Sequence, residues 1–267
     1  MKKLNTRKIR DHKLAKNKRS LQMLTCYDFQ TAGLLDQSEL DLILVGDSVG
    51  NVILGYETTV EVSLEEMVIF CSAVKRGAPN KFVVGDLPFG SYATLEKGID
   101  SAIQLFQKSK VEAVKLEGAY PTHLNLVREL TRTGIPVMGH IGLTPQSVHE
   151  LGGYYLHGKD QKSEEFLIQS ALDLENAGAF SVVLECVHAP VAEKITKLLS
   201  IPTIGIGSGV KTDGQVLVIN DLLKLGQEAP PQFCSPVADL FQVKKELIST
   251  YLTQNQKVTS DESHLNH

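Results

Sequence analysis

Leu42-Ile43-Leu44-Val45-Gly46-Asp47-Ser48 is an apolar run that halts on a carboxylate and a hydroxyl, and the pattern recurs along the chain. It returns at Phe82-Val83-Val84-Gly85-Asp86, Ala113-Val114-Lys115-Leu116-Glu117, Pro136-Val137-Met138-Gly139-His140 and Ser181-Val182-Val183-Leu184-Glu185. Apolar runs without alternation suit strands buried on both faces, as in a parallel sheet. When several such strands end on ionisable groups, those groups share one rim. Helix-length stretches closing on Gly or Pro precede most of the runs, as at Arg76-Gly77-Ala78-Pro79, Thr133-Gly134-Ile135-Pro136, Ala177-Gly178-Ala179 and Ser200-Ile201-Pro202. Helix, turn, buried strand and polar tip make a βα unit. The strands predicted this way lie at about 21–27, 42–46, 82–86, 113–117, 136–140, 181–186, 202–206 and 215–219. Eight such units in 267 residues fit a (β/α)8 TIM barrel, with residues 1–267 as a single catalytic domain. An open doubly wound sheet is the alternative, but it would spread the carboxylates along a crevice, whereas a barrel gathers them at one mouth.

Composition narrows the setting. With 42% hydrophobic and 22% charged residues the chain reads as an ordinary globular protein. No run approaches the roughly 18 to 20 apolar residues of a membrane span, and no signal-like segment opens the chain, so neither membrane nor secretion is expected. Cys26, Cys71, Cys186 and Cys234 are far apart, which fits buried thiols in a reduced, cytoplasmic protein. A net charge of −4 argues against nucleic acid as a partner. The basic N-terminal segment 1–20, with Lys2, Lys3, Arg7, Lys8, Arg10, Lys13, Lys16, Lys18 and Arg19, is expected to be a solvated helix or terminal segment rather than a basic arm. The tail 254–267 is polar and aperiodic, and is expected to fray.

Local punctuation is readable too. Ser63-Leu64-Glu65-Glu66 is a capping-box pattern opening a helix over 64–76, whose Met67, Phe70, Cys71 and Val74 fall at helical spacing and belong to the core. Between His140 and Glu185, the strings Gly142-Leu143-Thr144-Pro145-Gln146 and Gly152-Gly153-Tyr154-Tyr155 precede a helix from about 163 to 177. So many Gly and Tyr residues beyond a strand tip point to a substrate-covering loop.

The rim residues carry the chemistry. Asp47, Asp86 and Glu117 end successive strands, and hard oxygen donors without clustered His or Cys favour magnesium over zinc. Lys115, two residues before Glu117, shares its face and points into the barrel. It could neutralise the carboxylates, hold a substrate carboxylate or act as a Schiff-base nucleophile. Glu185, on the opposite side in apolar surroundings, is either a general base or half of a salt bridge to a rim Lys or His. His140 is open between ligand, substrate donor and core histidine. Ser48 either caps a loop or hydrogen-bonds a bound anion, and Cys26 belongs to the core.

Taken together, Leu24-Thr25-Cys26-Tyr27-Asp28, Val45-Gly46-Asp47-Ser48-Val49-Gly50, Arg76-Gly77-Ala78-Pro79, Asp86-Leu87-Pro88-Phe89, Val114-Lys115-Leu116-Glu117-Gly118, the string from Gly139 to Ser147, Leu184-Glu185-Cys186-Val187 and Ile204-Gly205-Ile206-Gly207 resemble the ketopantoate hydroxymethyltransferase family, in order, over about 21–220. The resemblance implies a magnesium-binding (β/α)8 barrel that transfers a hydroxymethyl group from 5,10-methylenetetrahydrofolate to 3-methyl-2-oxobutanoate. The product is 2-dehydropantoate, a step of pantothenate biosynthesis, reached through a magnesium-stabilised enolate. It places metal ligation on Asp47, Asp86 and Glu117, substrate binding on Asp47, Ser48, Asp86 and Lys115, and proton removal on Glu185. It also implies a large ring-like homo-oligomer, with a decamer as the candidate size. Three places depart from the pattern: Ser208 where Ala is expected, Asn220-Asp221 for a His-Asp pair, and Gln232-Phe233-Cys234-Ser235-Pro236 for a basic stretch. The competing readings are a metal-dependent carbon–carbon lyase on a related barrel, a Lys115 Schiff-base aldolase and a noncatalytic binding protein.

Overall fold

Each of the eight apolar runs is a parallel strand in the computed structural model, which describes residues 3–15, 19–153 and 155–262. The strands are β1 (Leu21–Thr25), β2 (Leu42–Val45), β3 (Phe82–Asp86), β4 (Ala113–Glu117), β5 (Val137–Gly142), β6 (Ser181–Glu185), β7 (Thr203–Ile206) and β8 (Gly214–Leu217). They pair in sequence order, and β8 returns to β1 to close the barrel. Their ends differ from the sequence-based ranges by one or two residues, the usual uncertainty of element boundaries. Both faces of β2, β3 and β4 are buried along their whole length, which is why these strands read as continuous apolar runs.

The barrel interior is filled by side chains such as Met23, Leu44, Val84, Met138, Val183 and Ile204. Towards the start of the strands Phe82 meets Phe180 edge to face, their ring centroids 5.7 Å apart. The N-terminal segment ends up here. Helix α1 (Thr6–Leu14) is N-capped by Asn5, whose side chain accepts from the Lys8 N–H at 2.9 Å. Its Ile9 is only 1% exposed and joins the barrel core, with Leu4 packed alongside. The segment is a helix whose other residues stay at least partly exposed, and through Ile9 α1 also plugs the end of the barrel opposite the polar tips. Its cations are spent locally, Lys13 on Asp213 at 2.7 Å and Arg10 on the Gly178 carbonyl at 3.2 Å, while Arg19 grips both oxygens of Asp41 at 2.6 Å each. Lys2, Lys16 and Lys18 lie outside the described residues.

Around the barrel run α2 (Phe29–Asp36), α3 (Leu64–Gly77), α4 (Leu95–Ser109), α5 (Pro121–Arg132), the short α6 (Val148–Leu151), α7 (Gln161–Ala177) and α8 (Ala189–Leu198). The capping box of α3 forms as expected, with the Ser63 hydroxyl accepting from the Glu66 N–H and Glu66 accepting from the Ser63 N–H. Met67, Cys71 and Val74 of that helix are fully buried. Asp160 caps α7, starting it two residues before the sequence-based position. All four cysteines are free thiols, but Cys186 is half-buried rather than buried.

Residues 1–218 form one compact unit and 219–267 a second, smaller one. The second holds α9 (Ile219–Leu222) and α10 (Leu240–Glu262), with Lys224 ion-paired to Asp239. The stretch from 254, expected to fray, is helical as far as 262; it lacks Pro and Gly, so nothing in it breaks the helix that Leu240 begins. Residues 263–267 lie outside the described residues. Among the described residues no helix is long and apolar enough to cross a membrane.

Candidate active site

Strand register decides which polar tips meet. Asp86 pairs laterally with Lys115, Glu117 with His140, and Gly142 with Glu185. Asp47 follows the last residue of β2 by two positions. The result is a cavity of about 160 Å³ at the ends of the strands, lined by Asp47, Ser48, Asp86, Lys115, Glu117, His140 and Glu185. Every site residue expected from the sequence faces this one space. It lies at the C-terminal mouth, where barrel enzymes place their chemistry.

Each of the three clustered carboxylates has one oxygen held by the protein. Lys115 Nζ binds Asp86 Oδ2 at 2.5 Å, the side-chain amide of Gln146 binds Asp47 Oδ2 at 2.9 Å, and the Gln146 backbone N–H binds Glu117 Oε2 at 3.1 Å. Among the described residues the other oxygen of Asp86 is buried without a hydrogen-bond partner, while Glu117 Oε1 faces His140 Nδ1 at 3.3 Å. Leaving a buried carboxylate oxygen unsatisfied is costly. For Asp47, burial and the charges of Asp86 and Glu117 push the pKa up to about 8. Burial likewise raises Asp86 above the usual carboxylate range despite Lys115. A divalent cation would relieve both.

Oxygen donors of this kind suit a hard ion such as magnesium, which retains waters and takes substrate oxygens beside one or two carboxylates. Among the described residues no three His, Cys, Asp or Glu side chains stand close enough to enclose an ion by themselves. The donor set thus fits a magnesium site completed by water and substrate rather than a closed protein cage.

Burial disfavours the Lys115 cation, yet Asp86, Glu117 and Asp47 together raise its pKa above that of a free lysine. An amine held so firmly protonated is a poor Schiff-base nucleophile, because attack needs the neutral form. His140, 1% exposed, lies with Nδ1 3.3 Å from Glu117 and Nε2 3.3 Å from Glu185. Burial and Lys115 oppose its protonation, but the two glutamates prevail and lift it to about 9. It stands between two carboxylates that both favour its protonated form. Ser48 shares a hydrogen bond of 2.8 Å with the Tyr27 hydroxyl.

The tip bearing Glu185 is pinned on both sides. Its carbonyl accepts from Leu143 N–H at 2.8 Å, and the next residue, Cys186, is held at φ 47° in the left-handed region that side chains disfavour. Neighbouring β5 approaches so closely that a Cβ on Gly142 would lie 2.2 Å from the Glu185 carbonyl oxygen. Ser208, one of the departures from the family pattern, braces the same tip: its hydroxyl accepts from Val187 N–H at 2.9 Å and donates to the Leu184 carbonyl at 2.7 Å.

Sequence reasoning missed Gln146 and Tyr92. Gln146 stood in a quoted motif without a role, and Tyr92 lay in a loop with no periodicity to mark it. In the fold the Tyr92 hydroxyl donates to Gln146 Oε1 at 2.5 Å, and the loop expected to cover substrate reaches the metal-type carboxylates through Gln146.

The sequence model of the ketopantoate hydroxymethyltransferase family matches residues 3–260. The 3-methyl-2-oxobutanoate hydroxymethyltransferase of Bdellovibrio bacteriovorus is 46% identical over 253 residues, 94% of each chain. That of Thermotoga maritima is 48% identical over 246 residues, 92% of this chain and 90% of its own. Among solved structures, a phosphoenolpyruvate phosphomutase from Streptomyces platensis aligns with a TM-score of 0.66 at 11% identity, covering 94% of this chain and 88% of its own. A 2,3-dimethylmalate lyase aligns at 0.59 with 14% identity, covering 95% and 96%. At such identities these two share the barrel fold and no more.

Proposed function

Because this chain belongs to the ketopantoate hydroxymethyltransferase family, we propose that it transfers a hydroxymethyl group from 5,10-methylenetetrahydrofolate to 3-methyl-2-oxobutanoate, forming 2-dehydropantoate for pantothenate biosynthesis. The observation that carries this reading is the meeting of Glu185 with Asp47, Asp86 and Glu117 in one cavity, within a chain matched by the family along nearly its whole length.

Asp47, Asp86 and Glu117 would hold Mg²⁺, which when bound supplies Lewis-acid stabilisation of charge developing on the keto oxygen of a 2-oxo acid. Glu185 accepts the proton from the branched carbon next to the keto group. That carbon then bonds to the folate-borne methylene carbon, whose two bonds to the folate nitrogens break; water supplies the hydroxyl oxygen, and the folate nitrogens take one proton from Glu185 and one from that water. His140, 3.3 Å from Glu185, orients the carboxylate. Lys115 offsets the carboxylate charge around it and faces the substrate carboxylate, and Ser48 offers a hydroxyl to the same anion. The pinned backbone at Leu143, Cys186 and Ser208 keeps Glu185 from drifting out of reach of the carbon acid.

The enzyme works in the cytoplasm, consistent with four free thiols, and as a symmetric homo-oligomer with a decamer as the candidate size. Exposed apolar side chains on barrel helices, among them Leu34, Ile69 and Phe166, support a partner surface. The test of the activity is formation of 2-dehydropantoate from both substrates, with Mg²⁺ and then with EDTA. Product should depend on the folate, disappear in chelator and return with added Mg²⁺. Full turnover in EDTA, with borohydride trapping substrate on Lys115, would overturn the metal reading.

A further inference from the structure

Gln146 has no part in the roles above, yet it reaches three strand tips at once. It sits in the short 3-10 turn Pro145–Ser147 beyond β5 and is 4% exposed. Its side-chain N–H groups donate to Asp47 Oδ2 at 2.9 Å and to the Leu87 carbonyl at 3.0 Å, and its backbone N–H donates to Glu117 Oε2 at 3.1 Å. A carboxamide has a donor end and an acceptor end, and only the donor end suits a carboxylate. Tyr92 anchors the other end. Its buried hydroxyl gives its one proton to Gln146 Oε1 at 2.5 Å and accepts the Glu117 N–H at 3.4 Å. With Oε1 so engaged, Nε2 must point at Asp47.

We propose that Gln146, oriented by Tyr92, is a positioning residue that sets Asp47 and Glu117 for cation binding. The inference rests on the reading of Asp47, Asp86 and Glu117 as the metal site. By fixing one oxygen of Asp47 and one of Glu117, Gln146 sets the orientation in which each carboxylate faces the cavity, with Glu117 Oε1 held from its other side by His140 Nδ1 at 3.3 Å. Outer contacts of this kind typically carry about 10–100-fold in metal affinity. A residue that merely anchored the loop would lower stability without touching the affinity of the folded protein.

The test is Mn²⁺ binding to substrate-free protein by titration calorimetry, in wild type, Asp86→Asn, Gln146→Leu, Tyr92→Phe and Ile9→Ala. The last is a destabilised control far from the site. Gln146→Leu should bind Mn²⁺ about 10–100-fold more weakly, and Tyr92→Phe should weaken in the same direction because the amide then loses the partner that anchors its oxygen. Ile9→Ala should bind as wild type. In turnover, the Mg²⁺ concentration for half-activation should rise more than kcat falls. If Gln146→Leu does not fold, Tyr92→Phe carries the test, since it keeps the ring and the glutamine. Wild-type affinity in the folded variants, beside weakened binding in Asp86→Asn, would overturn the inference alone. No Mn²⁺ binding by wild type would overturn the metal reading and the inference with it.

Discussion

Glu185 and Asp47 show how one cavity holds two carboxyls in different work. Glu185 lies 3.3 Å from His140 Nε2 and is proposed to take a proton from carbon. Glu185→Gln should therefore still bind 3-methyl-2-oxobutanoate with magnesium but lose exchange of the substrate's C–H with deuterated solvent, followed by NMR; exchange at the wild-type rate would remove the base assignment. Asp47, pushed up to about 8, and His140, lifted to about 9, both keep a proton in the metal-free fold. In an unfolded chain the same groups release it near pH 4 and pH 6.5 respectively. The folded state then binds more protons than the unfolded one, so metal-free stability falls as pH rises from about 5 to about 9. Melting temperatures in EDTA should decline across that range, and saturating Mg²⁺ should flatten the decline by displacing the Asp47 proton. A flat or rising series in EDTA would contradict the arrangement.

At the scale of elements, the strands and α3 follow from local rules, while α1 does not. The run Leu64–Gly77 carries its own start signal in Ser63 and Glu66 and its own buried stripe, so nothing outside it is needed to recognise it. α1 looks like a basic, solvated segment because eight of its nine residues are polar, charged or exposed, yet its single buried residue, Ile9, closes the barrel floor. Ile9→Ala should cost about 2–5 kcal/mol, the range for deleting a buried aliphatic side chain, measured by urea unfolding. A loss below about 0.5 kcal/mol, the level of an ordinary surface change, would show that α1 does not plug the barrel.

For the whole molecule, the barrel buries each helix on its inner side only. Leu34 and Ile69, 71% and 64% exposed, lie on α2 and α3 within the 1–218 unit. Single exposed apolar residues are ordinary, but here they accompany a family resemblance that implies a ring of subunits. Light scattering at micromolar concentration should give a mass several times the 29.2 kDa of one chain. A monomer mass would refute the assembly.

The sequence by itself determined the barrel and its reactive rim, because both are written in contiguous residues: a strand buried on both faces is a short apolar run, and the tip that follows it is the next one or two positions. Asp47, Asp86, Lys115, Glu117 and Glu185 could be read this way before any coordinates. Only the tertiary structure decided what holds them. Gln146 meets Asp47 across 99 residues and Tyr92 across 54, and Ser208 reaches β6 across 21 to 24. These are polar side chains on loops, where no period of 2 or 3.6 marks a face, so their partners exist only after the barrel has closed and set the distances between its tips. Ile9 belongs to the same class, since one apolar residue in a basic segment has no address until eight strands leave an open floor for it to fill.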